Sequence, residues 1–124
     1  MNKLRFSNFN LLTIQYPFTA IISILHRLSG VLVFLMIPLL LGLLESALSN
    51  ASEFASIQTL LTNPVSKLTV WFFLAALGYH FVAGVRHLLM DIGYAESLHA
   101  AKQSGMRAFG IALAWTVLVG VWLW

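Results

Sequence analysis

Residues 65–90 read VSKLTVWFFLAALGYHFVAGVRHLLM, and this stretch decides the fold and much of the chemistry. It is apolar enough to cross a lipid bilayer, yet it contains two histidines and an arginine. An ionisable side chain inside a membrane helix is energetically costly and by default indicates a functional site. Positions spaced at i, i+4, i+7 and i+11 share one helical face. The residues at these positions are His80, Gly84, His87 and Asp91. We interpret this face as the wall of a cofactor site.

The composition is that of an integral membrane protein. Of the 124 residues, 60% are hydrophobic and 9% are charged, whereas a soluble domain carries about 25% charged residues. The length predicts one domain, residues 1–124. The net charge of +3 is modest and the basic residues are scattered. They therefore bear on membrane topology, and we expect no nucleic-acid partner.

The chain has no cysteine. This excludes cysteine-ligated iron–sulfur clusters, disulfides, a thiolate nucleophile and thioether-attached haem within it. The sequence also contains no dinucleotide-binding fingerprint and no phosphate loop. If the protein takes part in redox chemistry, the remaining route is non-covalent haem held by histidine, with electrons supplied by another subunit.

Three long apolar runs predict three membrane helices. Their approximate bounds are 18–47, 65–92 and 106–124. Residues 1–17 are expected to form a cytoplasmic arm, and Pro17 to open the first helix, because proline is tolerated in a first turn. The connector after the first span is expected to contain a short surface helix at about 53–61. A loop at 94–107 is expected before the third span.

The distribution of basic residues predicts the orientation of the chain in the membrane. The arm and the second loop contain most of them, at Lys3, Arg5, Lys102 and Arg107. The first connector has only Lys67, at its far edge. Positive-inside bias therefore predicts a cytoplasmic N-terminus and a periplasmic C-terminus. In this orientation His26 and His87 lie towards the cytoplasmic face. His80 lies about two helical turns deeper than His87, which is roughly 10 Å at the rise of an α-helix.

A first cluster of polar residues lies in the run SILHRLSG, residues 23–30. Ser23, Arg27 and Gly30 share one helical face. A hydroxyl and a guanidinium on one face can hydrogen-bond a quinone carbonyl, and the positive charge favours the reduced, anionic ring. His26 or Arg27 can also pair with haem propionates. The alternative is that both side chains only reach out to lipid headgroups at the interface.

The second cluster contains the candidate metal ligand. A neutral imidazole is a good axial ligand for haem iron, which favours His80, and Gly84 one turn along leaves room for a porphyrin edge. Alternatively, Gly84 serves close helix packing and His80 hydrogen-bonds across the bundle. The Asp91 carboxylate either fixes the tautomer of His87 or forms a simple surface pair with it. His80 and His87 share a face, so the second iron ligand comes from the first helix or from another polypeptide.

Together the runs SILHRLSG (23–30) and HFVAGVRHLLMD (80–91) resemble the signatures of cytochrome b membrane-anchor subunits of bacterial succinate dehydrogenase. The resemblance covers nearly the whole chain. It implies an all-α integral membrane protein with three transmembrane helices, packed with a second anchor subunit in a haem-containing bundle. It also implies that haem b is shared between the two anchors and that ubiquinone is the substrate. The implied partners are an iron–sulfur subunit, a flavoprotein subunit and membrane lipid, in the bacterial inner membrane.

Carried over by position, the resemblance assigns roles to individual residues. His80 would be the axial ligand of the haem iron, and the quinone pocket would be lined by Ser23 and Arg27, with Leu11 as an apolar wall. The haem surroundings and propionates would be contacted by His26, Arg27, Gly30, Gly84 and His87. The chain would have no catalytic residue of its own and no activity alone. Family members often have an Arg-Pro pair in the arm, where this chain has Arg5-Phe6.

Two alternatives to this function stay open from the sequence. One is an anchor subunit of a menaquinone-linked fumarate reductase, since the direction of the reaction is set by reduction potentials. The other is a cofactor-free membrane scaffold or small transporter subunit, which predicts no haem absorption band and no co-purifying flavoprotein. The resemblance is also compatible with a trimer of the whole complex.

Overall fold

The computed structural model describes residues 18–124, which form four α-helices and no strand. The helices are α1 (Phe18–Ser49), α2 (Ala51–Thr62), α3 (Pro64–Asp91) and α4 (Leu98–Leu123). All but α2 are long and apolar enough to cross a membrane. The prediction of an all-helical protein with three spans is therefore confirmed. The predictions for the arm, including Leu11 and Pro17, lie outside the described residues.

Side-chain caps define where the connecting helix and the central span begin. The side chain of Asn50 accepts a hydrogen bond from the backbone N–H of Glu53 at 2.9 Å and so caps α2. The side chain of Asn63 likewise caps α3 by accepting a hydrogen bond from the backbone N–H of Val65 at 2.9 Å, and Pro64 lies in the first turn of this helix. Such caps satisfy backbone donors that have no partner within the helix. The short surface helix expected near 53–61 is thus present as α2.

The third span differs from the prediction, because α4 begins at Leu98 and not near residue 106. Most of the loop expected at 94–107 is helical. Ser97 caps this helix by accepting from Ala100 N–H at 3.2 Å, and the turn before it is compact, with positive φ at Gly93 and Ala95. Hydropathy located only the strongly apolar part of this helix. The polar first turns are helical because they are capped and pack on α1 and α3.

The central helix α3 packs against both α1 and α4. Two indole N–H groups join α3 to α4: Trp71 donates to Thr116 O and Trp115 to Leu74 O, both at 2.9 Å. Gly78 of α3 lies directly under the Trp115 ring, where a Cβ would overlap the indole. Small residues allow helix backbones to approach closely in membranes. The buried small residues at these contacts include Ala83, Ala101, Ala108 and Ala112.

Candidate cofactor site

Three imidazoles from two helices lie together between α1 and α3. The rings of His26 and His80 are stacked, with centroids 4.4 Å apart and planes 7° from parallel. The ring of His87 lies 5.1 Å from that of His26 and is tilted by 46° to it. His26 of α1 therefore contacts both histidines of α3, although these are about two turns apart. The histidines of the two clusters singled out in the sequence therefore lie together.

The ring of His80 is held through one of its two nitrogens. Its Nδ1 lies 3.1 Å from the backbone oxygen of His26 and 3.2 Å from Ser29 Oγ. A carbonyl oxygen only accepts hydrogen bonds, so Nδ1 must carry the proton. No residue of the described chain, 18–124, hydrogen-bonds the other nitrogen, Nε2. In this tautomer Nε2 has an unshared electron pair and is the nitrogen that can bind a metal.

Two glycines make room for the stacked rings. A Cβ at Gly30 would lie 2.9 Å from His80 Cε1 and 3.3 Å from its Nδ1. A Cβ at Gly84 would lie 3.2 Å from His26 Nε2. All three distances are shorter than ordinary van der Waals contact. The open space at Gly84 was expected to hold a porphyrin edge. In the structure, Gly84 faces the imidazole of His26 on α1.

His87 has a buried nitrogen without a hydrogen-bond partner in the described part of the chain. This atom is Nε2. A buried polar atom left unpaired costs about 1–3 kcal/mol and calls for an explanation, such as a bound group. The structure shows neither a hydrogen bond nor an ion pair between His87 and Asp91, and Asp91 is exposed. The carboxylate therefore does not orient the imidazole in this arrangement.

The residues proposed for the quinone pocket lie beside the histidine cluster on α1. Ser23 is half-buried, whereas Arg27 is exposed. Over residues 18–124, neither makes a side-chain hydrogen bond or ion pair. Arg27 and His26 are adjacent in sequence but project differently, since the imidazole contacts α3 and the guanidinium is exposed. Leu11, the third residue of that set, lies outside the described range.

Ser29 is a site residue that the sequence analysis missed. It is buried, with 8% of its surface exposed, and its hydroxyl donates to His26 O at 2.8 Å. Serine hydroxyls often bond a carbonyl three or four residues earlier in a helix. The spacing of Ser29 from His26 would have revealed this bond. The contact with His80 required knowledge of how α1 packs on α3.

Arg86 and Tyr79 also have roles that the sequence did not reveal. Arg86 is only 5% exposed, and it donates to Ser104 Oγ at 3.1 Å and to Ala101 O at 2.9 Å. It thus joins α3 to the first turns of α4. Tyr79 donates its hydroxyl to Ile22 O at 3.0 Å and joins α3 to α1. Both side chains fix the positions of the helices that carry the histidines.

The donor set fits a haem held by histidine. One imidazole has its Nδ1 engaged and its Nε2 unprotonated, which suits an axial ligand. A buried nitrogen of His87 lacks a partner, which suits a carboxylate such as a propionate. The exposed Arg27 adds a cation near the same end of α1. The rings of His26 and His80 cannot be opposite ligands of one iron in this arrangement, since they are stacked on each other.

Comparison with known proteins agrees with this picture. A family model described as the succinate dehydrogenase/fumarate reductase transmembrane subunit matches residues 1–119. The succinate dehydrogenase cytochrome b556 subunit of Coxiella burnetii is 42% identical over 100% of both chains. The corresponding subunit of Rickettsia felis is 31% identical, over 81% of this chain and 77% of the relative. That of Paracoccus denitrificans is 28% identical, over 84% of this chain and 80% of the relative. The resemblance seen in the sequence is thereby confirmed: the chain is a multi-pass membrane protein and belongs to the family of transmembrane subunits of succinate dehydrogenase and fumarate reductase.

Proposed function

We propose that this chain is a membrane-anchor cytochrome b subunit of a succinate:quinone oxidoreductase. It holds the soluble subunits at the membrane, supplies one axial ligand of haem b and forms part of the site where ubiquinone is reduced. It has no activity alone. The proposal is supported by the family membership of the chain and by the names of its relatives, which are cytochrome b subunits of succinate dehydrogenase.

The observation that carries the haem assignment is the hydrogen bond from His80 Nδ1 to a backbone carbonyl oxygen, at 3.1 Å. It leaves Nε2 as the ligating nitrogen and holds the ring plane in place. Bound haem would supply a one-electron redox centre. In the proposed site, His87 and His26 face the propionates with Arg27. Gly30 and Gly84, which leave room for the stacked imidazoles, lie in the haem surroundings.

The second axial ligand is proposed to come from the other anchor subunit. Axial ligands lie on opposite faces of the haem, whereas His26 is stacked on His80 and His87 lies on the same helix face as His80. His99 is exposed and hydrogen-bonds Gln103 at 3.0 Å within α4. No histidine of this chain is therefore placed to complete the coordination.

Ubiquinone is proposed to bind near the cytoplasmic end of α1, between Ser23, Arg27 and Leu11 of the arm. The exposure of Arg27, with no ion-pair partner in residues 18–124, is what supports this role. A guanidinium hydrogen-bonded to a quinone oxygen stabilises the negative charge that develops on reduction. The hydroxyl of Ser23, one turn earlier on the same face, supplies a second donor.

The proposed assembly contains a second anchor, an iron–sulfur subunit and a flavoprotein subunit in the bacterial inner membrane. The N-terminus is cytoplasmic and the C-terminus periplasmic, as the positive-inside bias predicts. The first turns of α4 carry Lys102 and Arg107, both exposed. These residues lie at the same end of the bundle as the histidine cluster. Electrons from succinate oxidation would thus reach the quinone from the cytoplasmic side.

The direct test is an absorption spectrum of the complex purified through this chain, before and after reduction with dithionite. We expect low-spin haem b bands, together with a co-purifying flavoprotein and an iron–sulfur protein. A particle without a Soret band or a flavoprotein would support a cofactor-free scaffold and overturn the proposal. The family description also includes fumarate reductase. Menaquinone in place of ubiquinone in the extracted lipid would favour that second function.

A further inference from the structure

We infer that Ser29 is a positioning residue for the His80 ligand, setting its tautomer, its ring plane and thereby the reduction potential of the bound haem. The inference rests on the proposed role of His80. Ser29 itself would touch neither the iron nor the quinone. It acts only through the imidazole of the neighbouring helix.

The partners in three hydrogen bonds support the tautomer. The Ser29 hydroxyl donates to His26 O at 2.8 Å, so its proton is already engaged. An oxygen lone pair is left for His80 Nδ1, 3.2 Å away. Nδ1 is also 3.1 Å from that same His26 carbonyl. Both neighbours of Nδ1 therefore act as acceptors, and the proton must reside on Nδ1.

Steric contact adds to the hydrogen bonds in fixing the ring. The Gly30 backbone lies against the imidazole so closely that a Cβ would stand 2.9 Å from His80 Cε1. In addition, the His26 ring is stacked on the same imidazole with centroids 4.4 Å apart. The two acceptors then determine how the ring is turned within this narrow space. Ser29 is buried, so water cannot replace its hydroxyl at low cost.

A ligand imidazole that donates its second N–H to an acceptor is more basic and binds its metal more tightly. A more basic ligand stabilises ferric over ferrous haem, and such hydrogen bonding is one of the means by which proteins adjust haem potentials. Removing the Ser29 hydroxyl should therefore raise the haem potential. The carbonyl of His26 remains as an acceptor, so ligation itself should survive.

The test uses the purified complex with Ser29→Ala and Ser29→Thr, compared with the parent. For Ser29→Ala we expect an upward shift in haem midpoint potential, an altered low-spin EPR signal and roughly tenfold weaker haem retention. Ser29→Thr keeps the hydroxyl and should restore the parental potential. Ser49→Ala is the matched control, because Ser49 makes the same bond to a carbonyl three residues earlier, at 2.8 Å, but is exposed and contacts no imidazole.

The outcomes separate this inference from the proposed function. If the assembled Ser29→Ala complex keeps the parental haem potential and EPR signal, the inference is overturned. If the His80→Ala complex keeps them, the assignment of His80 as a ligand is overturned instead. If Ser29→Ala does not assemble, Ser29→Cys replaces it, since it is close in size and sulfur is a weak acceptor. A raised potential in Ser29→Cys supports the inference. An unchanged potential in it refutes the inference.

Discussion

The imidazole of His26 on α1 is stacked on that of His80 on α3, 4.4 Å apart and 7° from parallel. This contact joins two polar clusters that lie far apart in the sequence. It also explains why two glycines flank the pair, since Gly30 and Gly84 each leave the space that one ring occupies. The site is therefore built at the contact between two helices, and its geometry depends on how closely they pack.

Replacing His80 with alanine should abolish axial ligation from this chain. We expect a low-spin haem spectrum to be lost or converted to high spin, because no other described histidine can take the same position. The measurement is the reduced-minus-oxidised spectrum of the purified complex. His99→Ala is the control, since His99 is an exposed histidine of α4, and it should leave the spectrum unchanged. A normal low-spin spectrum in His80→Ala would refute the assignment.

Gly30→Ala should disturb the same ligand without removing it. The added methyl group would stand 2.9 Å from His80 Cε1, so the ring or the helix must move. We expect a shifted haem EPR signal and reduced haem content. Gly42→Ala is the matched control on the same helix, because its Cβ would meet nothing within 4 Å. Equal effects of the two substitutions would show that helix stability, and not contact with His80, is responsible.

Sequence periodicity and hydropathy were sufficient to predict the three apolar helices and the helix face that carries His80. They placed the start of the third span wrongly, since the capped polar turns from Leu98 onward are helical but not hydrophobic. The stacking of His26 on His80 and the bond from Ser29 to His80 join residues of different helices. Such contacts depend on helix rotation and separation, which the period of one helix does not determine. Leu11 stays a prediction.

Arg27→Ala should impair quinone reduction selectively. Loss of a hydrogen bond from a charged group costs about 1.5–3 kcal/mol, which corresponds to a fall of roughly tenfold or more in the rate of quinone reduction. Succinate oxidation with a soluble dye acceptor should persist, because the flavoprotein is not affected. Lys102→Ala removes an exposed cation from α4 and should leave both activities intact. Parallel loss of the two activities in Arg27→Ala would point to defective assembly and count against a quinone role.

Arg86→Met should weaken the packing of α3 on α4. The guanidinium is 5% exposed and donates to Ser104 Oγ and Ala101 O. Methionine preserves much of the length but leaves both acceptors without this donor, at a cost of about 1–3 kcal/mol. We expect a lower thermal unfolding midpoint of the purified complex, with the haem spectrum of the surviving fraction unchanged. Arg107→Met, at an exposed position of α4, is the matched control and should have a much smaller effect. If the two variants unfold at the same temperature, the buried arginine does not stabilise this interface.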